Sequence, residues 1–203
     1  MILAKDLGLT PASIADLGVA AMFHDMGYAS RRDGQPPTFD QHSVEGLRVL
    51  LRQRGFHAAK VRRLLATVEH HRPVAGDHPT PTLYARILRI ADEFDILTRP
   101  RPGGALCPPS VALRRMAAAA GAAYDATLMK LFVNRLGAFP PGTALRLADG
   151  RTVVSTSGAR SPETFERPMC RVVLEADGQP PPRLYALDLA VEGRAVKEVI
   201  PPR

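Results

Sequence analysis

Apolar positions recur at helical spacing through the first two-thirds of the chain and at strand-like alternation after it. Thr10-Pro11 reads as a cap followed by a proline at the first helical position. Ile14, Leu17 and Ala21 then share one face, which His24 continues, and Gly27 is expected to close this helix. A polar loop from Arg31 to Pro37 leads to Asp40, the predicted N-cap of a helix through Leu47, Leu50 and Leu51 that ends at Gly55. Val61, Leu64, Leu65 and Val68 mark a third helix, running from Ala58 into His70-His71 before Pro73 stops it. Leu83, Ile87, Ile90, Phe94 and Leu97 mark a strongly periodic fourth, which contains Asp92. Prolines 100, 102, 108 and 109 break the chain; helices from Ser110 to Ala120 and from Asp125 to Leu136 follow, the second capped by Gly137.

Past Pro140-Pro141 the texture changes. Leu145-Arg146-Leu147 and Thr152-Val153-Val154 flank Asp149-Gly150, a strong hairpin signal. Further strands are expected at Cys170 to Leu174, Leu184 to Leu189 and Val196 to Ile200, with turns at Asp177-Gly178 and Glu192-Gly193. The pattern predicts a mainly α fold: a helical domain over residues 1–139, then a small antiparallel β unit over residues 140–203.

Composition narrows the class. A hydrophobic fraction of 45% without low-complexity runs describes a globular chain. No apolar stretch reaches the roughly 18 residues a bilayer span needs, and the start lacks the pattern of a signal peptide, so no membrane partner is expected. Two cysteines, Cys107 and Cys170, without metal-ligand spacing fit a reducing, cytoplasmic setting. The net charge of +7 comes mainly from arginine and permits an anionic partner. With no Trp and 5% aromatics, and no basic run interleaved with aromatic residues, DNA and RNA are not expected.

The residues with chemistry fall at the helix ends. His24-Asp25 and His70-His71 are adjacent pairs, each finishing an apolar helix; His42 sits in the first turn of another, and Asp92 lies within a fourth. Adjacent ligands at a helix end can diverge, so each reaches a different ion, and a carboxylate can bridge two. Imidazole with carboxylate suits Fe, Mn or Zn. A pair of such ions clamps the attacking and leaving oxygens of a phosphoryl displacement. Any one of these residues alone is more often a satisfied core or surface group. Four of the six histidines beside apolar helix faces, with two aspartates, make a metal centre the expectation.

Here the sequence resembles a family. Residues Ala20-Ala21-Met22-Phe23-His24-Asp25-Met26-Gly27 look like the HD motif of the HD-GYP domain, a branch of the HD phosphohydrolase superfamily. His42-Ser43-Val44-Glu45-Gly46-Leu47, Val68-Glu69-His70-His71 and Arg89-Ile90-Ala91-Asp92-Glu93-Phe94-Asp95 are similar to its following motifs, in order and at matching intervals over about residues 1–155. The resemblance implies an HD-type helical bundle with two or three divalent ions, iron or manganese, that hydrolyses cyclic di-GMP or a related phosphodiester in bacterial signalling. It implies that His24, Asp25 and Asp92 carry catalysis by holding one ion. Asp25 would bridge to a second, held by His42 with His70 or His71. Diguanylate-cyclase-type partner proteins and a homodimer are compatible with it.

Three departures bear on activity. The family's lysine after the HD motif is Tyr28, which offers a phosphate only a neutral hydrogen bond; Arg31 and Arg32 are the candidate replacements in substrate binding. The Gly-Tyr-Pro signature is missing, with His78-Pro79 as a remnant. Ile2 to Leu9 resembles the end of the family's first helix, so a further ligand is expected upstream of Met1. The competing expectation is a catalytically impaired regulatory module that binds metal, cyclic dinucleotide or a partner protein.

Overall fold

The computed structural model of the chain describes residues 1–31, 34–55, 57–100 and 106–201. Among them run eight α-helices and one five-stranded sheet, so the mainly α reading with a small β unit holds. The chain divides into two compact units, Met1–Asp92 with Ala119–Leu128, and Glu93–Ala118 with Met129–Arg203.

The first unit holds α1 (Ile2–Asp6), α2 (Pro11–Phe23), α3 (Phe39–Leu51), α4 (Ala58–Glu69) and the start of α5 (Leu83–Thr98). Helix α2 begins as expected, with the Thr10 hydroxyl accepting from the Ser13 amide at 3.2 Å. It stops at Phe23, and Gly27 does not cap it. Gly27 lies in a 3-10 turn (Met26–Ala29) pressed onto α3, where a Cβ would stand 1.8 Å from the carbonyl oxygen of His42. Thr38, not Asp40, caps α3, and the Gln41 side chain accepts the Thr38 amide at 3.1 Å. The helix ends at Leu51, four residues short of Gly55.

The buried faces also differ from the apolar stripes. Helix α2 buries Asp16 beside Leu17 and Ala20, and α4 buries Lys60 and Thr67 while Leu65 is exposed. Each polar group is buried because a partner meets it. Asp16 receives Arg62 at 2.9 Å and Arg63 at 2.6 Å, tying α2 to α4. The Lys60 ammonium donates to the carbonyls of Gln53 and Gly55 in the α3–α4 connection. Helix α5 buries Tyr84, Ile87, Leu88 and Ile90, and the Tyr84 hydroxyl donates to the Ser13 carbonyl at 2.8 Å. Asp125 stands just before α7 (Ala126–Leu136), accepting the Leu128 amide at 3.0 Å and pairing with Arg86.

The second unit contains α6 (Pro109–Ala118) and the sheet, whose strands β1 (Ala144–Leu147), β2 (Thr152–Ser155), β3 (Met169–Leu174), β4 (Ala186–Asp188) and β5 (Val196–Val199) lie in the order β4-β3-β2-β1-β5. All neighbours are antiparallel, and the registers Leu145↔Val153, Val153↔Val172 and Cys170↔Leu187 put one apolar row into a common core. The hairpin turns at Asp149-Gly150 as expected, with Gly150 at φ +94°. The strand expected through Leu189 ends at Asp188. Its carboxylate accepts the Ala190 amide at 3.0 Å and starts α8 (Leu189–Glu192), which Gly193 closes at φ +62°. Among the described residues no helix is long and apolar enough to cross a membrane.

Two outcomes follow from this packing. Gly27→Ala should cost about 3 kcal/mol in chemical denaturation, since the clash is with backbone rather than a flexible side chain; a loss below about 1 kcal/mol would contradict the close approach. Burial opposes the charge on Asp125, but the Leu128 amide and Arg86 outweigh it and hold the carboxyl below its ordinary value. A carboxylate with a depressed folded-state pKa stabilises fully above its unfolded value and loses that contribution as pH falls through the folded one. The penalty of Asp125→Asn should therefore shrink in urea melts as pH falls through and below the ordinary carboxylate range, and a pH-independent penalty would rule this out.

Candidate metal centre

Helix ends aim the first set of groups. His24 is the C-cap of α2 with Asp25 next to it; His70 is the C-cap of α4 with His71 next to it. The last carbonyls of a helix lack amide partners. The imidazoles use them: His24 Nδ1 donates to the Ala21 carbonyl at 2.7 Å, and His70 Nδ1 to the Thr67 carbonyl at 2.8 Å. His42, in the first turn of α3, gives its Nδ1 proton to the Phe39 carbonyl. In all three rings the Nδ1 proton is therefore committed, and Nε2 presents a lone pair.

Those lone pairs converge on Asp25. Its Oδ1 lies 3.3 Å from His42 Nε2 and 3.4 Å from His70 Nε2, while its Oδ2 lies 3.5 Å from His24 Nε2. Asp92, from α5, brings Oδ1 to 3.6 Å from His24 Nε2. His42 and His70 face each other at 3.3 Å, Nε2 to Nε2, with no neutral tautomer left to put a proton between them. Two ligand groups result, Asp25 with His42, His70 and His71, and Asp25 with His24 and Asp92, each with its donor atoms within 4.8 Å of one another. Asp25 belongs to both.

These residues fit a divalent cation. Buried polar atoms are nearly always hydrogen-bonded, yet His24 Nε2 and Asp25 Oδ1 are buried with no hydrogen-bond partner. Donor atoms about 2.0–2.2 Å from a shared ion stand roughly 3–3.5 Å apart, close to the separations above. The electrostatics agree. Burial opposes a charge on His24, but the nearby Asp92 carboxylate, the Ala21 carbonyl and the Asp25 carboxylate outweigh it and raise its pKa, so this spot favours a positive charge. The imidazoles of His70, His24 and His42 around it hold the Asp25 carboxyl below the usual carboxylate range against its burial. Burial lowers the pKa of His42 and, with His70 and His42 as neighbours, brings His71 down to about 4, so both are neutral ligands at pH 7.

The six singled-out metal-site residues thus lie together. Tyr28 joins them, its ring parallel to that of His42 at 5° and 4.3 Å, with its phenol pKa raised by burial and by Asp25 and Asp92. Arg31 is exposed and reaches the Gly34 carbonyl in its own loop at 3.5 Å, and Arg32 lies outside the described residues. Two residues had no assigned role in the sequence. Phe39 meets the rings of His71 and His42 at 4.5 and 5.6 Å. Arg89 donates to the carbonyls of His71 and Ala123, tying the end of α4 to α5 one turn before Asp92. Its only sequence signal was that spacing.

A helical unit whose helix ends present a shared His–Asp cluster for divalent metal is the class that fold and site define. Residues 1–97, just under half of the chain, match the HD domain family, and over this part the chain is similar to it. Over 95% of its length the chain is 29% identical to a Pseudomonas aeruginosa protein named a cyclic di-GMP phosphodiesterase, and it spans about half (49%) of that relative.

Replacing Arg89 with Met leaves the His71 carbonyl unanchored. We expect metal content after gel filtration to fall, with metal affinity about 10- to 100-fold weaker and the apo fold retained by circular dichroism. Unchanged metal content would show that Arg89 does not hold the site.

Proposed function

We propose that the chain is a metal-dependent phosphohydrolase that hydrolyses a phosphodiester, with cyclic di-GMP as substrate. The observation that carries the reading is Asp25, one carboxylate common to two ligand groups and buried at Oδ1 without a partner. His24, Asp25 and Asp92 would hold one ion, and Asp25 with His42 and His70 or His71 a second, iron or manganese. When bound, the ions supply a water nucleophile at neutral pH and charge neutralisation at the scissile phosphate. The chain's own part is to fix the ligands. The Ala21, Phe39 and Thr67 carbonyls hold the three Nδ1 protons, so each ring keeps one tautomer and one orientation. Asp25 is half exposed, so the cluster is open to substrate on that side. The relative's printed name supports cyclic di-GMP as substrate. All six candidate ligands fall within the helical domain proposed at 1–139.

Tyr28 favours a second reading. Its ring lies flat on His42, so a neutral phenol occupies the place where the resemblance expects a lysine. A site that binds metal and nucleotide with little turnover is consistent with that exchange.

One experiment separates the two. Protein loaded with Mn(II) or Fe(II) is expected to convert cyclic di-GMP to the linear dinucleotide or GMP. Chelation should stop the reaction, and Asp25→Asn should lower it by at least about 100-fold. Metal binding without turnover would instead establish the regulatory module. Tyr28→Lys restores a positive charge beside the scissile phosphate and should raise kcat by about ten-fold or more if that charge is what the site lacks.

A further inference from the structure

Glu69 stands where its own helix does not favour it. It is the last residue of α4, the end at which a helix dipole opposes negative charge, and its side chain is only 12% exposed. A carboxylate buried in such a place is held there by what it bonds. Its Oε1 meets Arg72 loosely, at 3.5 Å. Its Oε2 accepts the Thr82 amide at 2.8 Å, from 13 residues further along the chain. Thr82 directly precedes α5, and its carbonyl accepts the Arg86 amide in the first turn of that helix. A helix start of this kind usually has a Glu or Gln three residues on that reaches back to the cap amide. Here that residue is Ala85, which has no acceptor to offer, and the Thr82 hydroxyl is buried without a hydrogen-bond partner. The α5 start therefore borrows its acceptor from the end of α4, and at that start negative charge is favoured.

We propose that Glu69 is a positioning residue that sets the spacing between the two ligand groups of the metal centre. The inference rests on the metal-centre reading above and adds a residue that belongs to neither group. His70 and His71 follow Glu69 directly and lie in one group, while Asp92, on α5, lies in the other. One carboxylate thus joins the helix end that aims two imidazoles to the helix that carries the second aspartate. Arg89 makes a companion tie, from α5 to the His71 carbonyl. In both bonds the donor comes from the α5 side and the acceptor from the end of α4. Thr82 and Arg89 are seven residues apart, about two helical turns. Two ties at that separation stop α5 from sliding or pivoting against α4, which either alone would allow. A shift of α5 would carry Asp92 away from His24 and Asp25.

The test measures Mn(II) affinity by calorimetry on the full chain, with urea melts of the metal-free protein alongside. Glu69→Met keeps the bulk of the side chain without its oxygens. It should bind Mn(II) about 10- to 100-fold more weakly, with the metal-free protein still folded. Glu69→Gln keeps an oxygen for the Thr82 amide and should stay within about three-fold of the parent. A purely structural role gives a different pattern: Glu69→Met lowers metal-free stability, yet the folded protein keeps the parent's Mn(II) affinity. That result would overturn the positioning role. So would a Glu69→Gln variant as weak as Glu69→Met, because the charge and not the bond would then be what matters. Both outcomes leave the metal centre intact. A parent chain that binds no Mn(II) would overturn the metal-centre reading, and the positioning role with it.

Discussion

Everything in the first unit depends on where three imidazole protons go. Each Nδ1 is given to a backbone carbonyl three residues earlier, at Ala21, Phe39 and Thr67. That choice turns three Nε2 lone pairs and two carboxylates toward one another across separations of 3.3 to 3.6 Å. Without positive charge such an arrangement is electrostatically unfavourable: acceptors face acceptors, and His24 Nε2 and Asp25 Oδ1 are left with no donor. The arrangement therefore favours a cation, whose binding would add to the stability of the fold by mass action. For His24 and His70 the carbonyls are free because α2 and α4 end there. Termination of the helices and tautomer of the ligands are one event.

Holding the helix ends together falls to polar ties and close backbone approach as much as to the apolar core. Gly27 lets the turn after the His-Asp pair rest directly on the His42 carbonyl, and Gly46 faces Thr67 on α4, where a Cβ would meet Cγ2 at 2.9 Å. Asp16 with Arg62 and Arg63 fixes α2 against α4, and Arg89 fixes α4 against α5. A buried carboxylate with two guanidinium partners is directional where a leucine contact is not. The register of the helices, and with it the meeting of ligands from four of them, is set by such bonds.

The same distinction decides what was legible in the sequence. Helical periodicity located α2 to α7 because a one-sided apolar stripe is a local property of the chain. The Asp149-Gly150 turn was legible for the same reason, since Gly at positive φ is a local requirement. The buried identities of Asp16, Lys60 and Thr67 were not, because each is permitted by a partner that sequence distance hides: Arg62 is 46 residues from Asp16. Gly27 read as a helix stop, when its actual constraint is a carbonyl from another helix. The ligand residues themselves stood out, because His and Asp at helix ends are chemically conspicuous. Phe39 did not, because an aromatic residue opening an amphipathic helix looks like any core residue until its exposure is seen.

The centre has two kinds of residue with different freedom to change. His42 and His70 are fully buried, and each has both nitrogens committed, one to a carbonyl and one to the cluster. Altering either leaves a cavity and an orphaned carbonyl, so stability and ligation fail together. The side chains of Tyr28 and Phe39 are exposed and meet the cluster through ring contacts, so side-chain substitution there costs little stability. A metal centre built this way can change what it binds without losing what holds it. Tyr28, stacked on His42 at the exposed side of the cluster, is a position of that kind: its side chain can change while His24, Asp25, His42, His70 and Asp92 stay together.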